Sequence, residues 1–397
     1  MTHKLTLSDL SLNGKKVLIR VDFNVPLDQA GNITDDSRIQ AAIPTIKHVL
    51  DQNGAVILMS HLGRPKGKKS PEFSLSICAK ELSEILNRNV IMAPDCIGEE
   101  VEKLSRELEP GQILLLENLR FHQAEEHPED DPSFARNLSK LADFYINDAF
   151  GTAHRAHSST EVITQYFSNR AAAGFLLQKE IEFLGKTLQN PKRPFYAIIG
   201  GAKVSTKIGV LKALLAKVDG LLIGGAMAYT FLKAKNIEIG NSLFEEDFLG
   251  EAKELLQNKK LILPEDHLVA DQISASAETK VVTNGEGIPP GTQGVDIGPA
   301  TIIRYQEILQ NAATVLWNGP LGVFEIEPFS KGTYAIAETL AESDAITVIG
   351  GGDSVSAIQK SGLASRFSHL STGGGASLEY IESGKLPGIE ALSELSS

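Results

Sequence analysis

Ten short apolar runs separated by helical patterns constrain this chain more than any other feature of its sequence. Five lie in the first half: KVLIRV (Lys16–Val21), AVILMS (Ala55–Ser60), NVIMA (Asn89–Ala93), QILLLE (Gln112–Glu117) and DFYIN (Asp143–Asn147). Five lie in the second: FYAIIGG (Phe195–Gly201), GLLIGG (Gly220–Gly225), KLILPE (Lys260–Glu265), ATVLWNG (Ala313–Gly319) and ITVIGGG (Ile346–Gly352). Strands that are apolar on both faces belong to parallel sheets covered by helices, and their alternation with helices is the βα signature. An α/β fold with two parallel sheets is therefore predicted. The 397 residues also exceed the roughly 250–300 at which a single core stops growing. Between the two sets, Ala171–Gln189 has apolar residues at Phe175, Leu176, Ile181, Phe183, Leu184 and Leu188, with Pro191 and Pro194 beyond. That spacing predicts a helix over 171–190, either linking two domains or serving as one more crossover within a larger sheet.

The 38 basic and 50 acidic side chains give a net charge of −12, which argues against capture of nucleic acid by bulk positive charge. The charge is unevenly placed, however: nine of twelve arginines and seven of nine histidines fall at or before Arg170. The cysteines, Cys78 and Cys96, form no CxxC pair and read as two buried reduced thiols. The N-terminal segment lacks an apolar signal core, and the longest apolar stretch, Leu221–Leu232, is too short to span a bilayer. A cytoplasmic location is expected.

In open parallel sheets, ligands bind beyond the carboxyl ends of the strands. After the first-half runs stand Asp22-Phe23-Asn24, His61-Leu62-Gly63-Arg64, Asn118-Leu119-Arg120-Phe121-His122 and Asp148 through Arg155. Arginine forks recurring at strand ends suit the oxygens of a small polyanion. After the second-half runs come Gly200-Gly201-Ala202-Lys203, Gly224-Gly225, Asn318-Gly319-Pro320-Leu321-Gly322 and Gly350-Gly351-Gly352-Asp353-Ser354. Glycines before helix N-termini let a backbone approach phosphate, although tight helix-on-strand packing needs them too. Neither a P-loop nor a strand-linked GxGxxG is present. Lys203 and Lys207 are expected on one face of a helix's first turn, and Ser371-Thr372-Gly373-Gly374-Gly375 reads as a hydroxyl-capped helix start with free amides. Asp353 is a candidate magnesium ligand or a plain helix cap. The HQAEEH segment between His122 and His127 is not an HExxH zinc pattern, so no metal is expected there. Trp317 and Tyr229 read as core aromatics.

Eight co-linear segments together resemble the phosphoglycerate kinase family: VLIRVDFNVP (Val17–Pro26), SHLGRP (Ser60–Pro65), ENLRFH (Glu117–His122), NDAFGTAHRAHSS (Asn147–Ser159), GGAKVSTKI (Gly200–Ile208), WNGPLGVFE (Trp317–Glu325), GGGDSV (Gly350–Val355) and STGGGASLE (Ser371–Glu379). The resemblance implies reversible transfer of a phosphoryl group from 1,3-bisphosphoglycerate to ADP, giving 3-phosphoglycerate and ATP with magnesium, the step shared by glycolysis and gluconeogenesis. It implies two Rossmann-like domains joined by a helical hinge: residues 1–170 binding phosphoglycerate, a linking helix over 171–190, and 191–384 binding nucleotide, with the tail 385–397 returning to the first. Carried over by motif, Asp22, Asn24, Arg38, His61, Arg64, Arg120 and Arg155 would hold phosphoglycerate. The nucleotide would lie against Gly201, Lys207, Gly224, Gly225, Gly294, Val295, Asn318, Pro320, Gly322, Val323, Glu325, Gly351, Gly352, Asp353 and Ser354, with Asp353 on the metal and Ser354, where threonine is also common in the family, capping its helix. A monomer is expected, with neither nucleic acid nor membrane as partner.

Such a reaction explains why the sequence offers no general base. The acceptor is a carboxylate, ionised at neutral pH, so catalysis reduces to positioning and neutralising charge. Arg38, Lys203 and the amides of Gly373 and Gly374 are the candidates for that task. Two other readings stay open, another ATP-dependent metabolite kinase and a non-catalytic hinged binding protein.

Overall fold

All ten apolar runs form strands in the computed structural model, which describes residues 4–395. The first sheet contains β1 (Lys16–Arg20), β2 (Ala55–Met59), β3 (Val90–Met92), β4 (Ile113–Leu115), β5 (Phe144–Asn147) and β6 (Ala171–Ala173), in the order β3-β4-β2-β1-β5-β6. Every pairing in it is parallel. All five residues of β2 are buried, as expected for a central strand with helices over both faces. Those helices are α1 (Ser37–Asp51), α2 (Ser76–Leu86), α3 (Glu99–Glu107) and α4 (Ser133–Ser139). α5 (Phe175–Gln189) then leads into a second unit.

That unit holds β7 (Phe195–Ile199), β8 (Gly220–Ile223), β9 (Leu261–Ile262), β10 (Asp266–Ala270), β11 (Thr279–Thr283), β12 (Gln293–Ile297), β13 (Thr314–Asn318), β14 (Ile346–Gly350) and β15 (His369–Leu370). Six of these form a parallel sheet in the order β15-β14-β13-β7-β8-β9, and β11-β10-β12 make a small antiparallel sheet. The helices are α6 (Ile208–Leu215), α7 (Met227–Ala234), α8 (Leu249–Leu255), α9 (Pro299–Leu309), α10 (Lys331–Ala341), α11 (Gly352–Lys360) and α12 (Gly375–Ser383). α13 (Pro387–Glu390) follows in the C-terminal segment. The chain up to Glu182, together with the segment from Lys385 onward, makes one compact unit, and Phe183–Gly384 makes the other.

The helix expected over 171–190 is corrected at its start. Ala171–Ala173 is strand, paired with Tyr145, Ile146 and Asn147 of β5. The Ala173 amide donates to Leu5 O at 2.8 Å, and the Ser393 amide to Ala171 O at 2.9 Å. Neighbours on either side thus override alanine's helix preference, and α5 begins only after Gly174. The antiparallel sheet and the two-residue β15 also had no sequence forecast. Strand β11 is largely exposed, so it lacks the apolar run that marked the others.

Candidate active site

In the first sheet the chain works outward from β1 in both directions, through β2 on one side and β5 on the other. The crevice of such a sheet opens at the carboxyl ends of those central strands. Asp22 and Asn24 leave β1 there, and the Asp22 carboxylate pairs with Arg38 in the first turn of α1. Asn24 Oδ1 accepts the Gly63 amide at 2.8 Å, fastening the loop after β1 to the loop after β2. His61 is buried, and its Nδ1 lies 3.2 Å from Arg20 Nη2. Arginine can only donate, so Nδ1 accepts and the imidazole carries its proton on Nε2. Burial first, and then the charges of Arg20, Arg120, Arg38 and Arg155, push the His61 pKa well below its usual value. One neutral imidazole thus feels four guanidinium groups at once.

Arg120, also buried, donates from Nη1 to Gly63 O at 2.9 Å and pairs through Nη2 with Glu126 at 3.1 Å. Glu126 reaches Arg155 as well, at 3.7 Å. His157 senses the same arginines: burial, followed by Arg20, Arg155 and Arg120, drops its pKa to about 3. Asp22, Asn24, Arg38, His61, Arg120 and Arg155 are therefore gathered at one rim. Arg64 is exposed and makes no ion pair among the described residues. The site expected from sequence left out Arg20, Glu125 and Glu126. Arg20 is 1% exposed, donates to Ser159 Oγ at 2.9 Å and stands 4.0 Å from the fully buried Glu125. Its signal was present, a lone charge inside the apolar run KVLIRV that burial permits only with a partner.

In the second sheet the corresponding crevice lies between β7 and β13, the point from which the chain proceeds in opposite directions. Gly200 and Gly201 follow β7, and Gly319 and Pro320 follow Asn318, the last residue of β13. Lys207 Nζ donates to Gly200 O at 2.6 Å and to Asn318 Oδ1 at 2.9 Å. Burial lowers its pKa to about 8, partly offset by the Asp353 carboxylate. The Asn318 Nδ2 group is buried and has no hydrogen-bond partner.

Three local expectations are corrected here. Lys203 and Lys207 do not share a helix face: α6 starts at Ile208 with Lys207 as its N-cap, and Lys203 lies exposed in the preceding turn. Residues 203–207 are loop and turn rather than the first turn of a helix. Ser354 does not cap α11, because its buried hydroxyl accepts the Gly319 amide at 2.6 Å and pins the β13 exit. The start of α12 has no hydroxyl cap, and Gly374 is its N-cap. The Gly373 amide is not free either, since it donates to Ser371 Oγ at 3.1 Å.

The glycines divide into two groups by what surrounds them. A Cβ on Gly224 would lie 2.3 Å from Leu321 Cδ2, on Gly225 2.5 Å from Gly201 N, on Gly294 1.8 Å from the Tyr229 hydroxyl, and on Gly322 2.3 Å from Asp296 Oδ1. The protein itself occupies that space, so packing demands these four. A Cβ on Gly352 or Gly374 would meet nothing within 4 Å, and one on Gly351 only the Asn318 side chain at 3.2 Å. Beside them Asp353 is exposed in the first turn of α11 and makes no capping bond. On the other side of the crevice the Val323 amide bonds Val295 O at 2.9 Å, and Glu325 is exposed.

Residues 7–385 match the family model described as phosphoglycerate kinase. The chain belongs to the phosphoglycerate kinase family. A phosphoglycerate kinase of Chlorobaculum tepidum is 56% identical over 99% of this chain and 100% of the relative. The cytosolic phosphoglycerate kinase of Triticum aestivum is 55% identical, covering 98% of each chain. Among solved structures, phosphoglycerate kinases from Coxiella burnetii and Pyrococcus horikoshii each align with a TM-score of 0.86 over 98% of both chains, at 42% and 32% identity. The chain is accordingly an ATP-using phosphoglycerate kinase, a transferase that moves phosphate to a carboxyl group, and it needs a divalent metal with its nucleotide. This does not favour the other two readings of the sequence.

Proposed function

We propose that the first unit binds phosphoglycerate, the second binds ADP or ATP, and the metal is Mg²⁺. The arginine-rich rim around His61 is the observation that carries this division, because the second unit's crevice presents glycines and a single lysine instead. Arg38, Arg120 and Arg155, with Arg64, neutralise the phosphate and carboxylate of the substrate, while Asp22, Asn24 and neutral His61 fix its hydroxyl and carboxyl orientation. A histidine kept uncharged amid four arginines can donate from Nε2 without adding to their repulsion.

On the nucleotide side, Gly201, Gly224, Gly225, Gly294, Val295, Pro320, Gly322 and Val323 wall the base and sugar, and Glu325 accepts from the ribose. Lys207, Asn318 and the amides at Gly351, Gly352 and Ser354 face the phosphates. The open space beside Gly352 and the uncapped Asp353 carboxylate suit a small oxygen-seeking cation. When bound it would shield the phosphate oxygens and lower the cost of bringing two anions together. In the ATP-consuming direction a 3-phosphoglycerate carboxylate oxygen attacks the γ-phosphorus, the bond to the β-γ bridging oxygen breaks, and ADP leaves with that electron pair. No proton moves. Arg38 in the first unit, and Lys203 and the amide of Gly374 in the second, are the charge-stabilising donors. Gly373 joins them only if its amide leaves Ser371.

We assign the chain to the cytoplasm, as the name of its Triticum aestivum relative gives for that protein, and as a monomer. A net charge of −12 leaves nucleic acid outside its partners. The test supplies ATP, Mg²⁺ and 3-phosphoglycerate and follows NADH consumption by a dehydrogenase that reduces the acyl phosphate product. Turnover that is lost on chelation and restored by Mg²⁺ is expected, and absence of turnover with this pair would overturn the assignment.

A further inference from the structure

At the edge of the first sheet, two segments outside the phosphoryl-transfer chemistry meet. Asp95 and Cys96 follow β3, and His122 lies just beyond β4, its neighbour in the sheet. One ligand atom from each of the three side chains falls within 4.8 Å of the others. His122 Nε2 stands 2.7 Å from Asp95 Oδ1, and the Cys96 amide donates to that same oxygen at 2.7 Å. The His122 ring is held against Phe134, with centroids 5.2 Å apart. Cys96 is fully buried, whereas His122 and Asp95 expose 29% and 37% of their side chains, so an ion can reach the sulfur from their side.

We propose that Asp95, Cys96 and His122 form a binding site for a borderline-soft divalent cation of the zinc type, with water in the fourth position. Thiolate, imidazole and carboxylate at mutual distances below 5 Å form the donor set zinc takes in tetrahedral sites. The Cys96 proton passes to solvent as the sulfur–metal bond forms, since a coordinating thiol is deprotonated outright. Mg²⁺ is excluded by the sulfur and nitrogen donors, so this site is separate from the one at Asp353. Two nearby groups tune the affinity. The Lys69 charge acts on Asp95 and opposes the cation, while Glu125 acts on Cys96 and favours it. Spacing rules such as CxxC and HExxH pass over this constellation because its ligands come from two loops joined only through adjacent strands.

The test titrates chelator-treated full-length protein with Co²⁺, without nucleotide and with a thiol-free reductant. Cobalt bound by sulfur gives a near-ultraviolet charge-transfer band, whereas cobalt held by oxygen ligands gives none. One equivalent of that band, displaced by Zn²⁺, is expected in the wild type and in Cys78→Ser, and none in Cys96→Ser. His122→Gln is expected to raise the cobalt Kd at least about tenfold, a loss that even outer-shell partners can cause. It decides the matter should Cys96→Ser fail to fold. A wild type without the band, a band that survives Cys96→Ser, or an unchanged Kd in His122→Gln would overturn the site.

Discussion

Lys207 Nζ donates to the side-chain oxygen of Asn318 at 2.9 Å, joining the loop after β7 to the last residue of β13 across the crevice of the second sheet. Its other acceptors are the main-chain oxygens of Gly200 and Asn318. Among the described residues no carboxylate is bonded to it, so its ammonium is positioned but not neutralised. A buried cation held only by neutral oxygens retains its attraction for an incoming anion.

Proton uptake on nucleotide binding follows from this. Burial brings the free Lys207 pKa to about 8, so near pH 8 about half the ammonium groups have lost a proton. Phosphate oxygens favour the charged form and call the proton back. Calorimetric titration with ADP at pH 8, in two buffers of different ionisation enthalpy, should report uptake of up to about half a proton. Lys207→Met should abolish the uptake and raise the KM for ADP; the same uptake in that variant would remove Lys207 from the phosphate site.

Gly225 and Gly352 should fail in different ways. Gly225 has φ +67 and a Cβ there would strike Gly201 N at 2.5 Å, so Gly225→Ala combines backbone strain with a clash against rigid main chain. A stability loss above about 2 kcal/mol is expected in urea denaturation. Gly352→Ala meets nothing within 4 Å, so stability should hold within about 0.5 kcal/mol while nucleotide KM rises. If KM held steady as well, Gly352 would not face the phosphates.

What the sequence revealed and what it hid divide along physical lines. The central strands were legible because burial on both faces writes them as unbroken apolar runs. Ala171–Ala173 was not, because its strand state depends on Leu5 and Ser393, distant in sequence. Arg120 and Arg155 were visible by type and place and Arg38 only through the family resemblance, but Glu126 was not, since an acidic residue in a loop gives no sign that it bridges two arginines. Lys203 and Lys207 were spaced for one helix face, yet the chain between them runs through a loop and turn, and α6 begins only at Ile208.

Asp148 predicts a pH dependence of stability. Its Oδ1 accepts the Leu176 and Leu177 amides at the start of α5, at 2.9 and 3.2 Å, while Oδ2 is buried with no partner. Burial dominates and raises its pKa from 3.8 to about 7, against the opposing pull of Thr45 and those amides. Between these values the folded state keeps a proton that the unfolded chain has released. Stability therefore falls as pH rises through this window, by up to about 1.4 kcal/mol per unit from this group. Asp148→Asn keeps the Oδ1 acceptor and cannot titrate. Its stability relative to wild type should climb between pH 5 and pH 7 in urea denaturation, and a difference independent of pH would contradict the assignment.

Arg38 and Arg120 should separate charge stabilisation from substrate capture. The Arg38 side chain is 35% exposed and, among the described residues, paired only with Asp22, so it is free to follow a transferring group. Arg120 is locked between Gly63 O and Glu126 and can serve only a fixed anion. Arg38→Ala, like Lys203→Ala, should lower kcat about 100-fold or more, the scale of one lost transition-state donor. Arg120→Ala should raise the KM for 3-phosphoglycerate about 10- to 100-fold, the worth of one charge-assisted hydrogen bond, with the ADP KM within about twofold. Glu126→Gln offers the converse, since it releases Arg120 and Arg155 from their internal counter-ion and should lower the phosphoglycerate KM while costing some stability. Steady-state kinetics with each substrate varied in turn reads all four variants. Equal effects of Arg120→Ala on both substrates would mean that the two units do not divide them.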